Sequence, residues 1–134
     1  MTFLINQIVL SGFNLVNAFV DAYKIKWLHK EIRHRINLTA YAICVGILIW
    51  RQGMHLDAAT NFCFSAFFQR QLTFDIPLNL RRGLKWYYQS TANPPKAFWD
   101  RVERWFFRDH SGKEIAIFYL GMYLITVYIQ LSFL

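Results

Sequence analysis

At 134 residues the chain has room for one domain, and its 17% charged residues fall short of the roughly one-quarter usual in a soluble domain. Residues 1–20, 36–50 and 115–134 carry no charge and residues 58–74 carry only Arg70, a distribution that argues against a small water-soluble bundle, which cannot bury four such stretches. The net charge of +7 would suggest nucleic acid as the partner of a soluble protein; in a membrane protein it follows from Lys and Arg collecting in cytoplasmic loops.

The first segment, residues 2–27, is apolar except for a stripe of Gln7, Ser11, Asn14, Asn17 and Asp21. Steps of three and four put these on one helical face. Lipid offers amides no hydrogen bonds, so that face should turn toward other helices or a wet cavity. The plainer reading is glue between helices; the sharper one is a polar path leading to Asp21. No Lys or Arg precedes this segment and the first is Lys24, the reverse of the order in a signal peptide. The expectation is that the N-terminus crosses the membrane and stays outside.

Residues 21–35 form a basic loop with Lys24, Lys26, Lys30, Arg33 and Arg35, and with His29 and His34. Residues 36–50 follow, about 23 Å of helix, which Arg35 and Arg51 can lengthen by snorkelling. Ala40, Ala42 and Gly46 suit close helix packing there. Asn37-Leu38-Thr39 matches a glycosylation acceptor but adjoins the basic loop, and is read as a chance match. A short turn with Gly53 leads to Asp57, the expected N-cap of the third segment, residues 58–74. Asp75-Ile76-Pro77 is expected to end it, because the residue before a proline resists the helical region. Cys44 and Cys63 lie inside apolar segments and read as free thiols; neither their number nor their spacing suggests a disulfide scaffold or a zinc site.

Residues 75–113 make the long hydrophilic stretch, with Arg81, Arg82, Lys85, Lys96, Arg101, Arg104, Arg108 and Lys113. Pro94-Pro95 reads as the entry to a helix over 96–107. Phe98, Val102, Trp105 and Phe106 share one face of it, with Arg101, Glu103, Arg104 and Arg108 on others, the pattern of an interfacial amphipathic helix. Residues 115–134 are the cleanest span. The expected fold is therefore all-α: a single membrane domain, residues 1–134, of about four transmembrane helices and one cytoplasmic interfacial helix. Both basic loops would be cytoplasmic and both termini outside. Arg70 leaves open whether the third segment spans fully or re-enters.

Chemistry has one place to gather. Asp21, Arg70 and Asp75 meet at the cytoplasmic end of the spans, with His34 nearby. An ionisable group within a span is costly and marks a candidate site by default. Arg70, Arg81 or Arg82 could clamp a lipid phosphate, Asp75 or Asp21 could bind a divalent metal or act as base, and His34 could serve as nucleophile or ligand. Against this stands a structural ion pair between Arg70 and one of the two carboxylates. His29 and His34 lack the four-residue metalloprotease spacing, and there is no Gly-rich phosphate loop, nucleophile elbow or paired-cysteine motif. No metal or other cofactor is expected.

The run Arg81, Arg82, Lys85, Trp86, Tyr87, with Arg101, Arg104 and Trp105 further on, reads first as a surface for anionic lipid headgroups with an aromatic belt. A docking face for a protein partner comes second and nucleic-acid contact last. The stretch from Phe74 to Tyr88, followed by Asp100-Arg101, resembles a segment of uncharacterised small multi-pass membrane proteins of bacteria and their phages. That resemblance implies a prokaryotic or phage membrane protein and transfers no activity. Three functions follow in order of preference. The first is a structural or assembly subunit of a membrane complex, as a homo-oligomer or with other proteins. The second is a membrane-embedded hydrolase or transferase acting on a phosphate-bearing lipid headgroup. The third is a small channel or transporter lined by Gln7, Ser11, Asn14 and Asn17.

Overall fold

The computed structural model describes residues 2–28, 34–88, 98–108 and 110–132. Every element among them is helical: α1 (Thr2–Leu28), α2 (His34–Gln52), α3 (Leu56–Arg70), a π-helical turn (Gln71–Asp75), α4 (Ile76–Arg81), α5 (Phe98–Phe106) and α6 (Gly112–Ser132). The all-α expectation holds. Two helices, Phe3–Leu28 and Gly112–Ser132, are long and apolar enough to cross a membrane; Ile36–Gln52 is apolar but shorter.

Local chemistry sets the boundaries. Gly53, at φ 56°, closes α2: its N–H donates to the Trp50 carbonyl (3.1 Å) and the Met54 N–H to that of Ile49 (3.4 Å), a Schellman motif. Gly83, at φ 75°, closes α4 in the same way, with Gly83 N–H on Leu80 O (3.0 Å) and Leu84 N–H on Asn79 O (2.9 Å). A capping box opens α6. The Ser111 N–H donates to Glu114 Oε2 at 2.6 Å, and the Glu114 N–H to Ser111 Oγ at 3.3 Å.

Helices α2, α5 and α6 differ by one to three residues from their expected bounds, and two further boundaries shift for a visible reason. Helix α3 starts at Leu56 with His55 as N-cap, so Asp57 lies inside the first turn, where its charge suits the positive end of the helix dipole. The larger change is at Asp75-Ile76-Pro77, which does not break the chain. Asp75 (φ −71°, ψ −40°) and Ile76 (φ −62°, ψ −53°) are both helical. Pro77 brings no N–H, and its ring crowds the carbonyl four residues back, that of Thr73. The wide π turn over Gln71–Asp75 contains that carbonyl and gives the ring room. From Leu56 to Arg81 the backbone is thus one helical run of roughly 40 Å.

Side-chain pairings give the helix directions. Gln7 bonds Ser65, Asn14 bonds Thr73 and Arg81 stacks on Phe19, so α1 runs parallel to α3 and α4. Asp21 meets Asn37 and Phe13 meets Tyr41, so α2 runs antiparallel to α1. Asn61 reaches Gln130 and Phe68 packs on Tyr119, so α6 runs antiparallel to α3. The C-terminus of α1, the N-termini of α2 and α6, and α4 therefore share one end of the bundle. Lys24, Lys26, Arg81, Arg82 and Lys113 lie toward that end, whereas Arg51 is the one Lys or Arg among the described residues at the other.

The apolar core is divided among three small clusters: Phe3, Leu10, Tyr41, Val45, Phe62 and Ala66; Ala18, Ala22, Phe74 and Leu78; and Phe68, Ile115 and Tyr119. Between them the interior is polar. Gln7, Asn14, Asp21, Ser65, Gln69, Arg70 and Gln130 are all buried. The outer surface carries Ile8 (70% exposed), Ile43 and Leu124 (57% each).

Candidate functional site: a buried polar seam

The polar stripe of α1 faces inward and meets the polar side of α3 and the π turn. Gln69 is its hub. Its Nε2 donates to the Gln7 carbonyl and to Ser11 Oγ, each at 2.7 Å, and its Oε1 lies 3.4 Å from the Tyr41 hydroxyl. That hydroxyl donates at closer range, 2.8 Å, to the Ala66 carbonyl. Gln7 Nε2 donates to Ser65 Oγ at 3.2 Å, and Gln7 Oε1 accepts from the Tyr123 hydroxyl at 3.3 Å. Further along α1, Asn14 Nδ2 donates to Thr73 Oγ1 at 2.9 Å, and the Thr73 hydroxyl donates to the Gln69 carbonyl at 2.8 Å. The helices α1, α2, α3 and α6 and the π turn are thereby tied by one network.

Arg70 sits in this seam, 8% exposed. Its Nη1 donates to Asn14 Oδ1 at 3.3 Å. The guanidinium lies 4.3 Å from the Phe74 ring centroid and 5.4 Å from that of Tyr41, both within cation–π range. Asp75 and Asp21 supply the favourable charge. The Asn14 amide carbonyl and two ring faces make close contacts with the guanidinium.

Asp21, 1% exposed, closes the seam at the basic end. Its Oδ2 accepts from Asn37 Nδ2 at 2.5 Å, and its Oδ1 is 3.7 Å from Lys24 Nζ. Asn37, a chance glycosylation match by sequence, is thus the second anchor of α2. Asp75 is half-buried in the π turn. His34 begins α2, and its side chain lies outside the described ones, as do those of His29 and Arg35. Asn6, 6% exposed, has the one buried side-chain donor without a partner among the described residues, its Nδ2.

The basic and aromatic run leaves α4 through a turn that Asn79 organises. Its Nδ2 donates to the carbonyls of Tyr88 (2.9 Å) and Trp86 (3.3 Å). Arg81, Arg82, Lys85 and Trp86 are exposed on this turn and Tyr87 is half-buried. Arg81 lies over Phe19 at 4.7 Å, Lys85 over Tyr87 at 5.7 Å, and Trp86 meets Tyr87 edge to face at 5.1 Å. Arg101 and Trp105 are exposed on α5 and Arg104 is half-buried.

Chemically the seam is bonded mostly to itself: amides and hydroxyls pair with one another, the guanidinium holds the Asn14 amide oxygen and two ring faces, and Asp21 holds an amide and an ammonium. Among the described residues no three of His, Cys, Asp and Glu gather as a metal site needs. A shallow apolar hollow on the flank of α3, lined by Thr60, Cys63, Phe64 and Phe67, contains none of the seam. Two contributors, Tyr41 and Thr73, do not stand out in the sequence. Gln69 and Thr73 are four apart and Tyr41 is four from Asn37, so helical spacing of polar groups inside the apolar segments carries the signal. Compared with protein-family models, curated proteins and solved structures, the chain matches none.

Proposed function

We propose that the chain is an integral membrane protein whose helical runs α1, α2, α3–α4 and α6 each cross the bilayer, and that it serves as a structural or assembly subunit of a membrane complex. The carrying observation is the inverted polarity: a hydrogen-bonded seam with a buried arginine and aspartate inside, and contiguous Ile, Leu, Val and Phe outside. A water-soluble protein of this size would reverse that arrangement; in lipid the buried polar groups pair within the bundle, Asn6 Nδ2 excepted, and the outward faces meet an apolar solvent. The basic residues gathered at one end support an orientation with that end in the cytoplasm.

Assembly is favoured over transport because Gln7, Ser11 and Asn14, three of the residues that would line a pore, are bonded to Ser65, Gln69, Arg70 and Thr73. On α2, Ala42 and Gly46 are exposed side by side, where small residues allow close approach of a further helix. The hydrolase or transferase reading draws support from the π turn beside Arg70, since such turns recur at functional sites. Native mass spectrometry after extraction in mild detergent separates the readings. A discrete complex of several copies, or of this chain with other proteins, is expected; a monomer that releases phosphate from added phospholipid would replace the assembly reading with the enzymatic one.

A further inference from the structure

Arg81 ends α4 with its guanidinium laid on the Phe19 ring of α1, 4.7 Å from the centroid. Phe19 belongs to an outward row on α1, Ile5, Ile8, Gly12, Leu15 and Phe19, all exposed and at helical spacing. In the membrane reading that row faces lipid, and Lys24, the first basic residue of α1, lies ~7.5 Å of helix further on. Arg81 is thus a cation seated at the rim of the apolar surface, next to the exposed Leu80. A surface arginine ordinarily loses rotamer freedom when it takes a ligand; the ring stack has already restrained this one. Around it the charge is one-sided. No Asp or Glu occurs between Asp75 and Asp100, while Arg82 and Lys85 follow Arg81 on the turn that Asn79 closes. Among the described residues no carboxylate pairs with Arg81, Arg82 or Lys85. Carboxylates at the same end are engaged elsewhere: Asp21 holds Asn37 and Lys24, Glu103 takes the Tyr119 hydroxyl, and Glu114 caps α6. The negative surface of a cytoplasmic leaflet complements this charge, and a guanidinium takes phosphate oxygens in paired hydrogen bonds. A soluble anion would answer the charge but not the apolar side chains beside it, Phe19, Leu80 and Trp86, which are exposed and suit the acyl boundary.

We propose that the junction of α1 and α4 is a binding site for an anionic phospholipid, with the headgroup phosphate on Arg81 and an acyl chain along the outward row of α1. Arg82 and Lys85 add positive charge around the headgroup. Phe19 is the positioning residue, because its ring holds the guanidinium where the phosphate meets it. This inference rests on the membrane reading above and goes beyond it by naming the ligand class and the residues that take it.

The test uses the full chain in nanodiscs of equal phosphatidylglycerol and phosphatidylcholine, with retained lipids counted by native mass spectrometry. The wild type should retain phosphatidylglycerol in preference. Arg81→Gln should lower that preference by more than about fivefold, the share of one basic residue near an anionic surface, because the paired hydrogen bonds go with the charge. Arg81→Lys should restore part of it. Lys26→Gln, which removes an exposed cation from the same end, should cost about fivefold or less. Phe19→Leu, which changes no charge, should weaken the preference by up to about fivefold, the worth of an exposed cation–π contact. A chain that inserts but shows no preference overturns the inference alone. So does an equal loss from Lys26→Gln and Arg81→Gln, or no loss from Phe19→Leu, since either marks a diffuse field rather than a site. Displacement of the retained lipid by soluble glycerol phosphate would assign the site to a free anion and overturn it as well. A chain that does not enter nanodiscs overturns this inference and the membrane reading together.

Discussion

Gln69 shows at the residue scale what holds the helices together. It reaches α1 twice and lies against Tyr41 of α2, from a position on α3 where it is 1% exposed. Interhelical hydrogen bonds in membranes each contribute modestly, about 0.6 kcal/mol on average and up to ~1.7. Gln69→Leu should therefore lower stability by about 2 kcal/mol in total, read as a shift in a denaturant titration followed by helical circular dichroism in detergent. Ser11→Ala removes one acceptor of the same side chain and should cost less than half as much. The α1 stripe is legible in the sequence because its polar residues stand out from an apolar background at helical spacing. Its partners are not, because pairing between helices depends on directions and registers that no single segment encodes. Arg70 shows the limit: its burial can be read from the uncharged residues around it, but its close contacts, Asn14 and the Phe74 and Tyr41 rings, come from three different helical elements.

Turn chemistry decides the outcome for each element. Gly53 and Gly83 each occupy the left-handed position of a Schellman motif, the conformation in which a side chain is strained. Gly83→Ala should cost about 1 kcal/mol and loosen the Asn79-tied turn that carries Lys85 and Trp86, measurable as faster amide exchange over residues 84–88. Gly12→Ala, in an ordinary helical conformation with open space around its α-carbon, is the matched control and should be neutral or slightly stabilising. The helices themselves are legible from apolar run length. Pro77 reads as a stop and is not one, because the pre-proline rule describes a bias, and a π turn is a tertiary accommodation with no local signature. The Ser111–Glu114 capping box, by contrast, stands in the sequence as a Ser-x-x-Glu and marks the α6 start ahead of the apolar run at Ile115.

Across the whole molecule, the two features that define the account are the inside-out polarity and the asymmetry of charge. The asymmetry is visible from the positions of Lys and Arg alone, and the helix directions add that Lys24, Arg81 and Lys113 come to the same end. If that end is cytoplasmic, an enzymatic reporter fused after Leu134 should be inactive in the cytoplasm and active outside, and cytoplasmic activity would reverse the direction of α6. The polarity itself is tested most directly at Ile8, an outward residue next to the buried Gln7. In a chain whose own cysteines are changed to Ala (Cys44→Ala, Cys63→Ala), a single Ile8→Cys is challenged in membranes with a charged, water-soluble maleimide after both faces have been made accessible. With α1 crossing the bilayer as proposed, the introduced thiol should stay unlabelled until detergent is added, because this outward position would then face lipid. Rapid labelling in the intact membrane fraction, at the rate of a free thiol in water, would contradict it.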